Sequence, residues 1–581
     1  MSTTTELDRK HDVIIVGGGI GGSTLAAILA RHEVRVLMIE ASGHPRFAIG
    51  ESTVPETIMG LRNLALRYDV PEIGDLSAHG TLSKKVSSGS GVKRNFSFVY
   101  HQDGARSKPT EYNQYPTWGP PIGPDSHFFR QDVDAYMYQV ALSYGTKGLT
   151  HTAVTDVVFG ADKVTVHTES QGEFEAKYLV DAGGMRSILG ETLDLRIDPP
   201  YRTRSRTIFS HFTGVRPFDD VVETDARTGA ISPFSQGTLH HLFEGGWAWV
   251  IPFDNYLGST SRLCSVGINL DVDRYPMDPE LTPEQEFWKH VDRFPDFRAQ
   301  MAQAAAVRPY TASRRSQFAS KQVVGDRWCL LPHASDFIDP LFSSGLAVTV
   351  MILNALGHRL IDAVRNNNFA TERFAYIQEW TKRSFDYYDK LVSASYTSFD
   401  SFDLWNAWFR VWTIGTLYGV NGQMEASFDF SKSSNRSAFQ VLETRPYRGI
   451  QGVDNATIST MFSQSLAAID EYQGGLIDSA EAQDRIYGAL RESGLIPRFW
   501  NTLDAADQCP SGPFTLLSMS RILAWGKYQS PEHVRGQYFK SGFGPVMKEA
   551  AKFYGTTVKV GVREANHAIR DMVTSKNRDW K

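Results

Sequence analysis

Cysteine is scarce in this chain: three among 581 residues, Cys264, Cys329 and Cys509, far apart and with no C-x-x-C pair. That spacing excludes a disulfide framework and a cysteine-based zinc site, and it reads the three thiols as small buried hydrophobes. No G-x-S-x-G occurs, so no serine-hydrolase elbow is indicated. No uncharged run is long enough to span a bilayer, and Met1 to His11 is short and polar, without the apolar segment of a signal peptide. Excess positive charge is missing too. The formal net charge of −5 argues against a general nucleic-acid binder. Internal repeats and low-complexity tracts are absent. These absences predict a cytoplasmic globular protein without a membrane span, long enough for two to four domains.

What is present begins with Val13-Ile14-Ile15-Val16, an apolar β-branched run suited to a buried parallel strand. Gly17-Gly18-Gly19-Ile20-Gly21-Gly22 follows at once. Ser23 to Arg31 then reads as a helix with Leu25, Ile28 and Leu29 on one side, and Val34 to Ile39 as a second strand ending at Glu40. Gly17, Gly19 and Gly22 match G-x-G-x-x-G in βαβ order. The first allows a tight turn, the second lets backbone approach a pyrophosphate, and the third permits close helix–strand packing. The helix N-terminus then offers free N–H groups and a positive dipole end to phosphates, and Ile20, in the glycine turn that leads into it, is read as a further cofactor contact. Glu40 stands where a carboxylate accepts hydrogen bonds from ribose hydroxyls.

Strand patterns also cover Lys93 to Tyr100, Val154 to Thr168, Tyr178 to Val180 and Trp328 to Leu331, and about Thr203 to Asp271 alternates like antiparallel sheet. Beyond residue 370 the pattern turns helical: Phe374, Ile377, Trp380, Tyr388 and Leu391 recur near helical spacing, as do Trp405, Trp408, Phe409 and Trp412. The tryptophan stripe reads first as core and second as pocket lining. The expected fold is α/β: a Rossmann-type, aromatic-hydroxylase-like module over 1–370, with an antiparallel substrate sheet within about 92–130 and 195–320, and a mainly helical C-terminal domain over 371–581 covering the substrate pocket.

Several segments carry a family resemblance. Asp181-Ala182-Gly183-Gly184 and Arg130, in Phe129-Arg130-Gln131-Asp132, resemble flavin-contacting segments of aromatic-hydroxylase-like flavoproteins and favour FAD over NAD. Gly246-Trp247-Ala248-Trp249-Val250-Ile251-Pro252 contains W-x-W-x-I-P. Phe337-Ile338-Asp339-Pro340-Leu341-Phe342-Ser343-Ser344-Gly345 matches F-x-x-P-x-x-S-x-G, and Gly50-Glu51-Ser52-Thr53-Val54-Pro55 looks like G-E-[AS]-T-[IV]-P. Together with Val92-Lys93-Arg94-Asn95-Phe96 they resemble flavin-dependent halogenases, most of all the phenol type, over most of residues 12 to 412.

The resemblance implies that reduced FAD, oxygen and chloride or bromide give hypohalous acid, which passes down a tunnel to an electron-rich ring. It implies Lys93 as the amine that hydrogen-bonds this oxidant or is itself halogenated. It also implies Trp247 and Trp249 as gatekeepers between flavin and substrate, and halide near Ser344 and Gly345. Glu51, Ser52, Asp181, Asp339 and Gly345 are implied beside the cofactor. A lysine suits its role physically, because burial lowers its pKa toward a nucleophilic amine. Lys84 and Lys85 are the nearest rivals; they lack the strand pattern and the downstream aromatic. Ser344 also reads as an ordinary N-cap, and the two readings are compatible.

Two positions depart from the tryptophan-halogenase pattern. Phe342 stands where those enzymes carry a glutamate, which favours phenols over indole. His333, in Leu331-Pro332-His333-Ala334, stands where many flavoproteins have an aspartate, and reads either as a flavin contact or as a structural histidine. The expected partners are a small aromatic substrate, free or carrier-tethered, and a separate NAD(P)H-dependent flavin reductase. The competing readings are an NAD(P)H-dependent flavin hydroxylase and a catalytically silent flavoprotein.

Overall fold

The computed structural model describes residues 8–117, 123–222, 230–542, 544–545, 547–548 and 551. Residues 1–7 of the polar N-terminus, 118–122 and 223–229 of the two sheet ranges, and 552–581 of the expected helical domain lie outside the described residues.

The β-branched run at the N-terminus takes the centre of a sheet, where both faces are covered. Lys10–Val16 pairs in parallel with Gly172–Asp181 on one side and Val36–Ile39 on the other, and Val13, Ile14 and Ile15 are fully buried. Trp328–Leu330 and Lys147–Leu149 extend the two sides, both in parallel. The expected strand Val154 to Thr168 is two: Val154–Phe159 and Val164–Thr168 form a hairpin that pairs with Gly172–Asp181. This is a Rossmann-type α/β layer, with Ile20–Arg31 packed beside Gly345–Asn366.

A second sheet runs in the order Ser205–Thr213, Cys264–Asp271, Gly246–Pro252, Thr238–Phe243, Asn95–Tyr100 and Tyr112–Pro116. Its pairs are antiparallel except Thr238–Phe243 with Asn95–Tyr100, which run parallel. Lys93 is not on this sheet. The chain breaks at exposed Arg94, whose N–H donates to the Gln236 carbonyl at 2.7 Å, and Gly91–Lys93 instead pairs antiparallel with Asp125–His127.

The C-terminal part is helical, as its spacing requires: Ala375–Ser398, Phe402–Ser433, Ala456–Gln473, Ser479–Ser493, Leu516–Tyr528 and Glu532–Tyr538. The 32-residue helix Phe402–Ser433 is buried along most of its length and packs on Pro55–Tyr68. One hydrophobic core therefore runs from Val13 to Phe539, through both the Rossmann layer and the helices. A second core covers the other face of the second sheet, with Ile208, Phe212 and Ile268 against Phe287 and Phe297. Gly345–Asn366 is long and apolar enough to cross a bilayer, with mean hydropathy 1.4, but 78% of that stretch is buried in the fold.

Candidate active site

The glycine turn forms where the first strand ends. Gly17 has φ +103°, and a Cβ there would lie 2.5 Å from the Ala182 carbonyl oxygen; at Gly22 it would lie 2.1 Å from the Gly17 oxygen. Any side chain at either position would push helix, strand and loop apart. Gly19 is open by contrast: the nearest atom to a Cβ would be Arg46 Nη2 at 3.4 Å. Gly19 caps the helix with no side-chain bond, so the N–H groups from Ile20 onward lack intrahelical partners. Glu40 Oε2 accepts from Gly18 N–H (2.8 Å) and Arg46 (3.1 Å), while among the described residues Oε1 accepts only from Ser42 N–H (2.9 Å). Lone pairs thus remain on Oε1 for a hydroxyl.

Arg130 is buried and spent on the fold. It donates to Asp134 at 2.7 and 3.0 Å and to the carbonyls of Ile49 and Gly50 at 2.5 and 3.1 Å, which ties the strap at Gly50-Glu51-Ser52 to the helix Arg130–Ser143. Glu51 accepts from His211 Nε2 at 2.6 Å through Oε1, and its Oε2 is buried without a partner among the described residues. Asp181 is consumed locally. It accepts from Gly183 N–H (2.8 Å), Ser187 Oγ (2.7 Å) and Leu189 N–H (3.0 Å), so it shapes its own loop. An uncapped helix start, an acid-ended strand with free lone pairs and a buried half-paired carboxylate suit an anionic dinucleotide carrying hydroxyls.

Lys93 has no exposed surface. Its Nζ donates to Ser52 Oγ at 2.6 Å and to the Thr53 carbonyl at 2.7 Å, and lies 3.0 Å from the centre of the Phe96 ring. Ser52 belongs with the lysine here. The directions of the bonds behind it are fixed. The Pro252 carbonyl can only accept, so His127 Nδ1 carries the proton (2.8 Å), and burial pushes that imidazole down to about 3. His127 Nε2 then accepts from Thr238 Oγ1 (2.9 Å), which accepts from Ser52 Oγ (2.9 Å), which accepts from Lys93. Burial holds the Lys93 amine well below its ordinary range, opposed by the nearby Asp125 carboxylate. Lys84 and Lys85 are exposed on the helix His79–Lys85, and Lys85 pairs with Asp75.

Comparison with known proteins now decides the class. The tryptophan halogenase family matches residues 12–70 and 101–410. The chain belongs to this family. The halogenase is 44% identical over 446 residues to the tetracycline 7-halogenase of Kitasatospora aureofaciens, covering 76% of this chain and 80% of that one. It is 39% identical over 545 residues to the monodechloroaminopyrrolnitrin halogenase PrnC of Pseudomonas fluorescens, covering 93% and 95%. The crystal structure of the halogenase PltM in complex with phloroglucinol and FAD superposes with TM-score 0.83 at 32% identity, over 86% of this chain and 99% of that one. The halogenase is thus a flavin-dependent enzyme whose cofactor is FAD.

The remaining motif residues fall around these two centres. Trp247 and Trp249 are neighbours on one buried strand, ring centres 5.9 Å apart, and Trp249 Nε1 donates to Ser265 Oγ at 3.1 Å. Asp339 accepts from Ser205 Oγ (2.7 Å), Tyr396 OH (2.9 Å) and Leu341 N–H (3.0 Å), and burial pushes its carboxyl up to about 6. It knots the second sheet to the helix Ala375–Ser398. Ser343 sits in the left-handed region at φ +51°, and Ser344 then opens the helix Gly345–Asn366 without a side-chain cap bond, leaving its first N–H groups for an anion. A Cβ on Gly345 would lie 2.5 Å from His333 Nε2. His333 has a partner within the fold, Thr349 Oγ1 at 3.2 Å, and burial pushes it down to about 4.

The tryptophan stripe divides. Trp412 packs against Phe96 (5.3 Å), Tyr115 (5.3 Å) and Phe342 (5.1 Å), and Trp405 against Phe98 (5.0 Å), so both face the lysine segment. Trp408 points elsewhere and donates to the Leu391 carbonyl. Two carboxyls that sequence reasoning missed also lie here. Asp125 stands in register opposite Lys93. Glu56, just past the strap motif, is buried, accepts from Gln451 Nε2 at 2.9 Å, and is pushed up to about 8 by burial.

Proposed function

We propose that the halogenase delivers chlorine or bromine from Lys93 to an electron-rich, phenolic ring. The observation that carries this is the Lys93 amine itself: wholly buried, held by two acceptors, and depressed toward the neutral form. A lysine so placed is costly to bury and is retained where its chemistry is needed.

Gly17, Gly19, Ile20, Gly22 and Glu40 would hold FAD, with Glu51, Asp339 and Gly345 on its margins and Arg130 and Asp181 shaping its loops. Ser344 and Gly345 would hold the halide at the uncapped helix start. Reduced FAD, with oxygen and halide, supplies hypohalous acid. The chain's own residues do the rest. Ser52 and the Thr53 carbonyl fix the amine; Lys93 polarises or takes up the halogen; Trp247 and Trp249 separate the cofactor side from the substrate side. Phe96, Phe98, Phe342, Trp405 and Trp412 exclude water, which keeps the oxidant from diffusing away.

A phenol fits because its hydroxyl activates the ring without the glutamate that Phe342 replaces. The likeness to an enzyme crystallised with phloroglucinol supports that class. A free substrate is favoured over a carrier-bound one: the relatives named for carrier-bound pyrrole are only 27% and 23% identical. A separate flavin reductase supplies FADH2, and three free buried cysteines are in keeping with the cytoplasm.

The test is an assay with FADH2, oxygen, bromide and a resorcinol-type phenol, read by the bromine isotope doublet. Bromide-dependent product that needs a separate reductase supports the reading. A hydroxylated product with NADPH alone, or no turnover from FAD-loaded enzyme, overturns it.

A further inference from the structure

We infer that Asp125 is the base of the halogenation site and takes the proton of the substrate's ring hydroxyl while Lys93 delivers the halogen. The inference deepens the reading of Lys93 and rests on it.

Asp125 and Lys93 are directly opposed in an antiparallel pair, so their side chains leave the same face of the two-stranded ribbon. Asp125 is 1% exposed, and neither of its carboxylate oxygens has a hydrogen-bond partner among the described residues. Buried carboxylates are nearly always hydrogen-bonded. The others described above are committed: Asp181 to its loop, Asp339 to Ser205 and Tyr396, Glu51 to His211, and Glu56 to Gln451. Of the buried carboxylates described above, Asp125 alone has both oxygens without a partner among the described residues. The buried Tyr115 hydroxyl likewise has no partner among the described residues. A phenol supplies what both lack, a donor for Asp125 and a second polar group for Tyr115.

The titratable groups around Asp125 agree with a base. Lys93 faces it across the ribbon and favours the carboxylate; Glu56, from Pro55–Tyr68, is pushed up to about 8 and is mostly neutral at pH 7. Tyr115 comes from Tyr112–Pro116, and on Asp125's own strand His127 is neutral. Burial raises the Asp125 carboxyl to about 7, near the optimum for general-base work at neutral pH.

The protons balance. As the ring carbon bonds to the halogen of hypohalous acid, the oxygen–halogen bond breaks. The phenolic proton passes to Asp125, which hands it to the released hydroxide to give water, while the Lys93 N–H hydrogen-bonds that oxygen. The ring C–H proton then passes through the neutral Lys93 amine to the ring oxygen, and Asp125 ends as the carboxylate it began as.

The test is Asp125→Asn, assayed as above between pH 5.5 and 9 with FAD loading checked by absorbance. Wild type should gain activity through a midpoint near 7. The variant should be at least about 100-fold slower at pH 7. It should also climb about tenfold per pH unit toward the phenol's own ionisation, since a phenolate needs no base. A variant within about fivefold of wild type, or one slowed with the wild-type pH profile unchanged, overturns the inference. Should Asp125→Asn fail to load FAD, Asp125→Ala takes its place: formate-dependent recovery supports the base, and none from loaded enzyme overturns it. If wild type itself brominates nothing, the reading of Lys93 falls first.

Discussion

Glu56→Gln should make the protein more stable, and increasingly so as pH rises. Glu56 is buried at the start of the helix Pro55–Tyr68, and burial raises its carboxyl from 4.5 to about 8. Between those values the folded chain keeps a proton that the unfolded chain has released, so stability falls with rising pH by about 1.4 kcal/mol per unit. At pH 7 the cost is about 3 kcal/mol, from the 2.5 units above the unfolded value of 4.5. Glutamine has the same shape, no charge, and an oxygen that still accepts from Gln451 Nε2, now at 2.9 Å. Asp125 stays in both proteins, and since it helps to raise the Glu56 carboxyl, the difference includes that coupling. Denaturant midpoints of both proteins, followed by tryptophan fluorescence from pH 4.5 to 8, give the difference. It should be small near pH 4.5 and widen steadily toward pH 8. A gap that is constant across this range, or that widens toward acid, would refute the reasoning.

Two further changes probe the lysine and the halide. Ser52→Ala removes the acceptor 2.6 Å from Lys93 Nζ and should lower kcat about tenfold, the worth of one hydrogen bond to a charged or polarised group; FAD loading should be unchanged in the absorbance spectrum. Gly345→Ala puts a Cβ 2.5 Å from His333 Nε2 at the uncapped helix start. It should raise the bromide KM several-fold while leaving the KM for the phenol unchanged, measured by steady-state product formation.

The parts of this account that were legible in the sequence are those whose chemistry is local. Gly17, Gly19, Gly22 and Glu40 fall within one βαβ unit, so spacing alone placed the glycine turn, the helix start and the acid beside them. Lys93 was legible only through its flanking segment, since a lone lysine on a strand is usually solvated. The break at Arg94 was not, because it depends on Gln236, far along the chain. Asp125 was missed for the same reason: its value lies in a pairing with Lys93 that no periodicity reports. Glu56 is buried because Gln451, 395 positions away, closes over it. The tryptophan spacing showed a helix but not which rings face Phe96 and Phe342, since that follows from the packing angle of Phe402–Ser433. Asp181 fits a flavin-segment pattern, yet its three bonds return to its own loop.

The most direct measurement is product formation by Lys93→Ala, supplied with FADH2, oxygen, bromide and a resorcinol-type phenol and shown by absorbance to carry FAD. The account expects brominated phenol to fall at least about 100-fold while reduced FAD is still consumed by oxygen. Brominated product at the wild-type rate, from a variant with full cofactor loading, would contradict it.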